Sequence, residues 1–356
     1  MKAIFDLFSA LQFLKYWLGY NLFIRYGWPK ILPSFLTFSV TNHCNQRCKT
    51  CNIWKNNIFE KKRMELKLEE IRRIFSQFPK IFWLTITGGE PFLRRDLVEI
   101  VRTIYEVSKV NVLTITTNGS MPAIIEKNVK EIIRSCKNLV LIVNISIDGN
   151  KEIHDKIRGV NGSFDKAVES VKRLKKIKTR RLIVGTNSVI SLFNVNHIDK
   201  LLNTIRKIGP DSYALTVVQN RARLYNLNLK ISPGYEAIRE AFTKILKVSK
   251  NGKGVVGVIK NFLRSRYYRY VLYPWSMIDK MNFEGIASLS LMSNGKIMIN
   301  EVYGYVIGDL KKENYNVYKI LFSREAKKWR HILSSPKHKM NMTENSFYIN
   351  QILACW

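Results

Sequence analysis

Cys44, Cys48 and Cys51 place three thiols within eight residues, separated by Asn45-Gln46-Arg47 and Lys49-Thr50. Thiolates are soft donors that suit iron–sulfur centres or zinc, and this spacing lets one loop offer all three to a single centre. The fourth position separates the readings. A structural zinc site is closed by four protein ligands, whereas a cubane held by three cysteines keeps one iron open to another molecule. His43 directly precedes Cys44 and would have to fold back over the same metal to serve as a fourth donor. Buried structural thiols are the third alternative, yet a loop of Asn, Gln, Arg and Lys is poorly placed for a core.

The run Leu36-Thr37-Phe38-Ser39-Val40 reads as a strand ending at Thr41-Asn42-His43, so the thiols follow a strand's C-terminal end. That is where loops vary and chemistry collects in α/β sheets and barrels. A second run, Ile81 to Ile86, leads into Thr87-Gly88-Gly89-Glu90-Pro91, whose glycine pair would permit close approach of the backbone to a ligand.

Together these two motifs resemble the radical S-adenosylmethionine (radical SAM) superfamily. The resemblance implies a [4Fe–4S] cluster on Cys44, Cys48 and Cys51, with the methionine part of S-adenosylmethionine on the open iron. It also implies that Gly88, Gly89, Glu90 and Pro91 meet the methionine amino group. Thr50 departs from the family pattern, which more often has an aromatic residue before the last cysteine. The expected chemistry is reductive cleavage of the sulfonium to a 5′-deoxyadenosyl radical that takes hydrogen from a peptide or small-metabolite substrate. A reductant such as flavodoxin or ferredoxin is the expected electron donor.

The elements that must position these loops repeat along the chain. Helical patterns at Leu97–Tyr105, Ala123–Cys136, Phe164–Lys176 and Ile198–Ile208 alternate with strands at Val110–Thr116, Leu139–Ser146, Leu182–Thr186 and Tyr213–Val218. Such alternation implies parallel pairing through right-handed crossovers. The expected fold is α/β: a partial (β/α)6 TIM-like barrel over 34–235, an N-terminal helical segment over 1–33 and a small α+β extension over 236–356. Each strand delivers a polar tip to one rim: Asn118, Ser146, Asp148 and Asn187. By resemblance these line the adenosine and carboxylate parts of the cofactor, and hydroxyls and amides suit that task. Taken singly, Asn-Gly and Asp-Gly are ordinary turn pairs. His154-Asp155-Lys156-Ile157-Arg158-Gly159 also looks like a family segment, in which Arg158 could pair with a carboxylate at the rim or form a structural salt bridge.

The extension resembles the SPASM/twitch type, with a hairpin over Leu289–Ile299 turning at Ser293-Asn294-Gly295-Lys296. Where such extensions place cysteines for auxiliary clusters, this chain carries Asn282, Asn300, Asn341 and Asn345, so a single cluster is expected. Cys136 reads as a small core residue, and Cys355 lies one residue from the end.

Composition bounds the partners. Five cysteines in 356 residues, three of them clustered, argue against a disulfide scaffold and for a reducing, cytoplasmic setting. The formal charge of +32 would draw anionic membranes, nucleic acid or acidic substrates, and lysine-rich composition is the plain alternative because the charges lie all along the chain. The densest run, Lys172 to Arg181, falls at a helix C-terminus, where cations are stabilising anyway. Residues 1–28 form an apolar, aromatic helix interrupted by Lys2, Asp6, Lys15 and Arg25, too often charged to span a bilayer. Packing against the barrel and lying on an anionic membrane surface are its two readings.

Overall fold

A computed structural model describes residues 7–58, 65–248, 264–273, 283–300, 302–333, 347, 349–351 and 353. The chain opens with helix α1 (Leu7–Tyr26) and strand β1 (Phe35–Thr41). Five α/β repeats follow: α2 (Leu68–Phe75) and β2 (Trp83–Gly88), α3 (Leu97–Ser108) and β3 (Val112–Thr117), α4 (Pro122–Ser135) and β4 (Val140–Ser146), then α5 (Lys151–Arg158) with α6 (Ser163–Lys175) before β5 (Leu182–Ile190), and α7 (Ile198–Ile208) before β6 (Ser212–Val217). Helix α8 (Tyr235–Val248) packs beside α7, and 264–272 form helix α9. The C-terminal part adds β7 (Ser288–Leu291), β8 (Lys296–Met298), β9 (Val306–Asp309), α10 (Val317–Leu321) and α11 (Arg324–Leu333).

The strands form one sheet in the order β6-β5-β4-β3-β2-β1-β7-β8-β9. Strands β1 to β6 pair in parallel in chain order, as an incomplete (β/α)6 barrel requires. The expected hairpin is present, but it is not separate from the barrel sheet. Strand β7 pairs in parallel with β1, Phe35 opposite Ser288 and Phe38 opposite Leu291, so the extension continues the sheet to nine strands. An unpaired edge on β1 would leave backbone donors and acceptors open, and β7 satisfies them.

Alternation along each strand divides the layers. Leu36, Phe38 and Val40 point to the helices, where Phe38 meets Phe75 with ring centroids 5.5 Å apart. The opposite face carries hydroxyls in register: Thr37 pairs with Thr85, and Thr85 with Thr114. The indole Nε1 of Trp83 donates to Thr114 Oγ1 at 3.0 Å on this interior face. The interior below the rim is therefore polar, and the apolar core lies between sheet and helices. Cys136 is buried in that core, as expected.

Two boundaries differ from the sequence reading. β5 runs on to Ile190 because Ser188, Val189 and Ile190 pair with Leu215, Thr216 and Val217 of β6, so Asn187 lies within the strand, level with Ser146 at the end of β4. β2 begins at Trp83 and extends through Gly88, placing the first glycine of the pair inside the sheet opposite Thr41. Of the asparagines read in place of auxiliary ligands, Asn282, Asn341 and Asn345 lie outside the described residues, as does Cys355. Asn300 is buried: its Nδ2 donates to Glu284 Oε2 at 2.8 Å, and its Oδ1 accepts from the Val302 and Tyr303 amides.

Candidate functional site

The loop after β1 carries three free, half-buried cysteines, Cys44, Cys48 and Cys51. Among the described residues, no three His, Cys, Asp or Glu side chains close up around a single ion. Each sulfur has an N–H donor at hand: the Gln46 amide for Cys44, Arg158 Nη1 at 3.8 Å for Cys48 and the Ile53 amide at 3.4 Å for Cys51. Burial pushes the Cys44 thiol up to about 12 and Cys51 up to about 11, and raises Cys48 while Arg158 pulls the other way. A metal ion held by such thiols would have to displace their protons. Three thiols on one loop with N–H donors at hand fit the donor set of a site-differentiated cluster.

The loop is clamped on three sides. On one, the amides of Arg47 and Lys49 donate to the carbonyls of Arg158 and Ile157, at 3.0 and 2.8 Å. These belong to the last turn of α5, whose C-terminal carbonyls lack helical partners, so the cysteine loop caps the helix. Gly159 completes this cap at φ 66°, and a β-carbon there would meet the Arg47 carbonyl oxygen at 2.6 Å. On a second side, Asn226 Nδ2 donates to Thr50 O at 2.8 Å and the Asn52 amide to Leu224 O at 2.9 Å.

The third clamp is the Gly88-Gly89-Glu90-Pro91 loop. The Gly89 amide donates to Thr41 O at 2.8 Å and the Glu90 amide to His43 O at 2.7 Å. The glycine pair also serves a contact within the chain itself. A β-carbon on Gly88 would lie 2.1 Å from the Thr41 carbonyl oxygen and one on Gly89 2.1 Å from that of His43, so the missing side chains admit the cysteine loop's own backbone. Glu90 is fully buried, and its carboxylate accepts from the Phe92 amide at 3.1 Å, Thr117 Oγ1 at 2.8 Å and the Asn118 amide at 2.7 Å. Burial outweighs these hydrogen bonds and pushes its carboxyl up to about 7. Pro91 starts the 3-10 turn Pro91–Leu93 behind it.

The remaining residues singled out in the sequence fall around this core. Asn118 donates from Nδ2 to Asn45 Oδ1 at 2.8 Å and accepts at Oδ1 from the Ser120 amide, tying the β3 loop to the cysteine loop. Ser146 ends β4, buried and opposite Asn187. Asp148 receives Arg158 Nη2 at 2.6 Å and the Val189 amide at 3.0 Å, so Arg158 does pair with a rim carboxylate, within the fold. Asn187 differs from these: its Oδ1 is buried on the interior face of β5 without a hydrogen-bond partner among the described residues. A buried amide oxygen in that state has room for one more hydrogen-bond donor.

Several supporting contacts, at Gln46, Ser163, His154 and Arg94, were not legible in the sequence. Gln46 Nε2 donates to Ser163 Oγ at 2.6 Å; Ser163 Oγ also meets His154 Nε2, and His154 Nδ1 accepts from the Asp148 amide at 3.2 Å. Burial pushes His154 down to about 4, so it acts as a neutral strut. Arg94 anchors the end of β1 from behind, through Val40 O at 2.6 Å, Leu66 O at 2.5 Å and Asp96. Only the polar residue beside each motif hinted at these contacts.

Residues 38–208 match the model of the Radical SAM superfamily. The chain is 30% identical over 178 residues to GTP 3′,8-cyclase of Clostridium perfringens (strain SM101 / Type A), covering 49% of this chain and 52% of that protein. It is 28% identical over 224 residues to AdoMet-dependent heme synthase of Methanosarcina barkeri (strain Fusaro / DSM 804), 61% of this chain and 60% of that protein. The chain thus spans little more than half the length of these curated relatives. In fold it resembles Streptococcus suis SuiB bound to S-adenosylmethionine, with a TM-score of 0.63 at 15% identity, covering 94% of this chain and 78% of that one. Native anSMEcpe with bound AdoMet gives a TM-score of 0.59 at 17% identity, with coverage of 85% and 84%.

Proposed function

Because residues 38–208 are a radical SAM domain, we propose that this protein is a radical SAM enzyme holding a [4Fe–4S] cluster on Cys44, Cys48 and Cys51. When bound, the cluster and S-adenosylmethionine supply one-electron cleavage of the sulfonium to methionine and a 5′-deoxyadenosyl radical, which takes a hydrogen atom from substrate. The chain's own share is binding and exclusion. Its three thiols sit on a loop clamped by α5, by the Gly88–Pro91 loop and by Asn226. Amide and guanidinium N–H groups offset the negative charge that collects on the sulfurs. Asn187 would give its unpartnered Oδ1 to a hydroxyl of the nucleoside, and Ser146 stands beside it on β4. Gly88, Gly89, Glu90 and Pro91 would hold the methionine end, through backbone edges and the fixed loop.

The observation that carries this reading is the convergence of the cysteine loop and the glycine–glutamate loop at the C-terminal ends of β1 and β2. The substrate class we infer is a peptide or small metabolite, with a flavodoxin- or ferredoxin-like reductant in a reducing cytoplasm. One crystal structure similar in fold is that of Streptococcus suis SuiB bound to precursor peptide SuiA, and the curated relatives compared above act by name on GTP or in heme synthesis. Among the described residues, no helix is long and apolar enough to cross a membrane.

The test is anaerobic reconstitution followed by chromatography of the products. Dithionite with S-adenosylmethionine should yield 5′-deoxyadenosine, and Cys48→Ala should yield none. Zinc in place of iron, or 5′-deoxyadenosine unchanged in Cys48→Ala, would end the proposal.

A further inference from the structure

Helix α1 is apolar on two faces, and among the described residues only one of them is packed. Phe13, Tyr16, Trp17, Tyr20 and Ile24 pack on Phe35, Phe82 and Phe283 beneath the sheet. Trp17 Nε1 donates to Leu353 O at 2.7 Å, and the Tyr20 hydroxyl meets Ser34 Oγ at 2.7 Å, so this face is fixed. The other face presents Leu11, Leu14, Leu18 and Leu22, each between 39% and 57% exposed. At 100° per residue these leucines fall in one stripe. Gly19 and Ile31 floor a groove beside it, and the stripe ends in Tyr26 and Trp28, 74% and 70% exposed. Exposed leucines and aromatics gathered in one place mark a binding surface.

Charge identifies what covers it. The charged residues from Leu7 to Pro33 are Lys15, Arg25 and Lys30, with no acidic residue among them, on a chain of net charge +32. Lys15 lies within the stripe and is exposed, so a second copy placed on this face would bring cation against cation. An anionic bilayer surface meets all three features: leucines enter the acyl boundary, Tyr26 and Trp28 suit the interface, and lysine and arginine reach phosphate headgroups. We infer that the exposed face of α1 is a docking surface for an anionic lipid bilayer, on which the protein lies peripherally.

The placement also sets an orientation. Residues Phe35 and Phe82, against which α1 packs, lie at the N-terminal ends of β1 and β2, whereas the cysteine loop follows their C-terminal ends. Docked through α1, the protein turns its cysteine loop away from the lipid, leaving that end open to soluble partners.

The experiment is co-sedimentation of the full chain with phosphatidylcholine vesicles, with and without phosphatidylglycerol. Binding should need phosphatidylglycerol and fall with added salt. Leu14→Glu with Leu18→Glu, both at exposed positions, should weaken partitioning by about tenfold or more at unchanged circular dichroism. Should that pair disturb folding, Lys15→Glu with Arg25→Glu tests the same surface through charge and should weaken binding to the anionic vesicles alone. Absence of binding to phosphatidylglycerol vesicles, or binding indifferent to the charge reversals, would overturn the inference. So would a concentration-dependent dimer in analytical ultracentrifugation that the leucine substitutions dissolve, which would assign the face to a second copy.

Discussion

Gly89 and His43 are in contact through backbone alone: a β-carbon on Gly89 would stand 2.1 Å from the His43 carbonyl oxygen, which itself accepts from the Glu90 amide at 2.7 Å. The residue before the first thiol is thereby fixed to the loop after the next strand. Gly89→Ala should force the two loops apart, with a cost of about 1–3 kcal/mol typical of overpacking. Gly88→Ala should be worse, because Gly88 also holds φ at 141°, where a side chain is strained. Urea denaturation should rank the two variants in that order, and iron retained after reconstitution should fall with them. An alanine at position 89 with parental stability would show that the loops have slack.

A second prediction concerns Asp148 and Arg158, whose charged groups meet at 2.6 Å with side chains only 3% and 13% exposed. Removing one member of a buried pair leaves the other charge without compensation, which costs about 3–5 kcal/mol. Asp148→Ala also strands the Val189 amide that it accepts. Chemical denaturation of the unloaded protein should show a loss in that range. Asp148→Asn should recover part of it, because an amide oxygen can still accept from Val189. A loss below about 1 kcal/mol would mean that the pair is solvated in practice.

The pH dependence of stability should carry two opposed contributions. The folded chain keeps the Glu90 proton up to about 7, against an ordinary value of 4.5, so stability is lost as pH rises through that window. His154 is held near 4, against an ordinary 6.5, so stability is lost as pH falls below 6.5. Between these limits the slopes oppose each other. Relative to the parent, Glu90→Gln should become less damaging as pH rises from about 5 to 7, while His154→Gln should become less damaging as pH falls over the same range. Denaturation midpoints across that range check both signs, and profiles parallel to the parent in both variants would refute the assignment.

How much of this was legible beforehand follows from the reach of each signal. β-branched and apolar runs and their spacing locate β1 to β6, because the signal for a buried strand is written into neighbouring residues. The cysteine and Gly-Gly-Glu-Pro motifs fall together for the same reason, each at the end of its strand. What the sequence does not carry is pairing at long range. Nothing local to Ser288–Leu291 says that it will sit on β1, and nothing near Gln46 says that Ser163 will receive it. Asn187 reads as a rim residue because the apolar run Leu182–Thr186 ends before it, and nothing local says that Ser188, Val189 and Ile190 will pair on with β6. In the fold Gly185 is spent on Asn144, whose Oδ1 would lie 2.2 Å from a β-carbon at 185.

The number of clusters per chain offers the last prediction. If the C-terminal part bound a second centre, Asn300 would stand at one of its ligand positions by resemblance to cluster-bearing extensions. Its amide is instead committed at both ends: Nδ2 to Glu284, and Oδ1 to the Val302 and Tyr303 amides, all within a buried turn. A neutral amide is a poor ligand for iron, and freeing this one would take a hydrogen bond from a buried carboxylate. Outside the 44–51 loop the chain has only Cys136, buried against the helices, and Cys355. Anaerobic reconstitution should therefore give about four iron and four sulfide per chain, as one cubane contains. Replacing Cys44, Cys48 and Cys51 together with Ala should remove all of it. A residual cluster in that triple variant would place a second centre on residues the sequence marks as non-ligands.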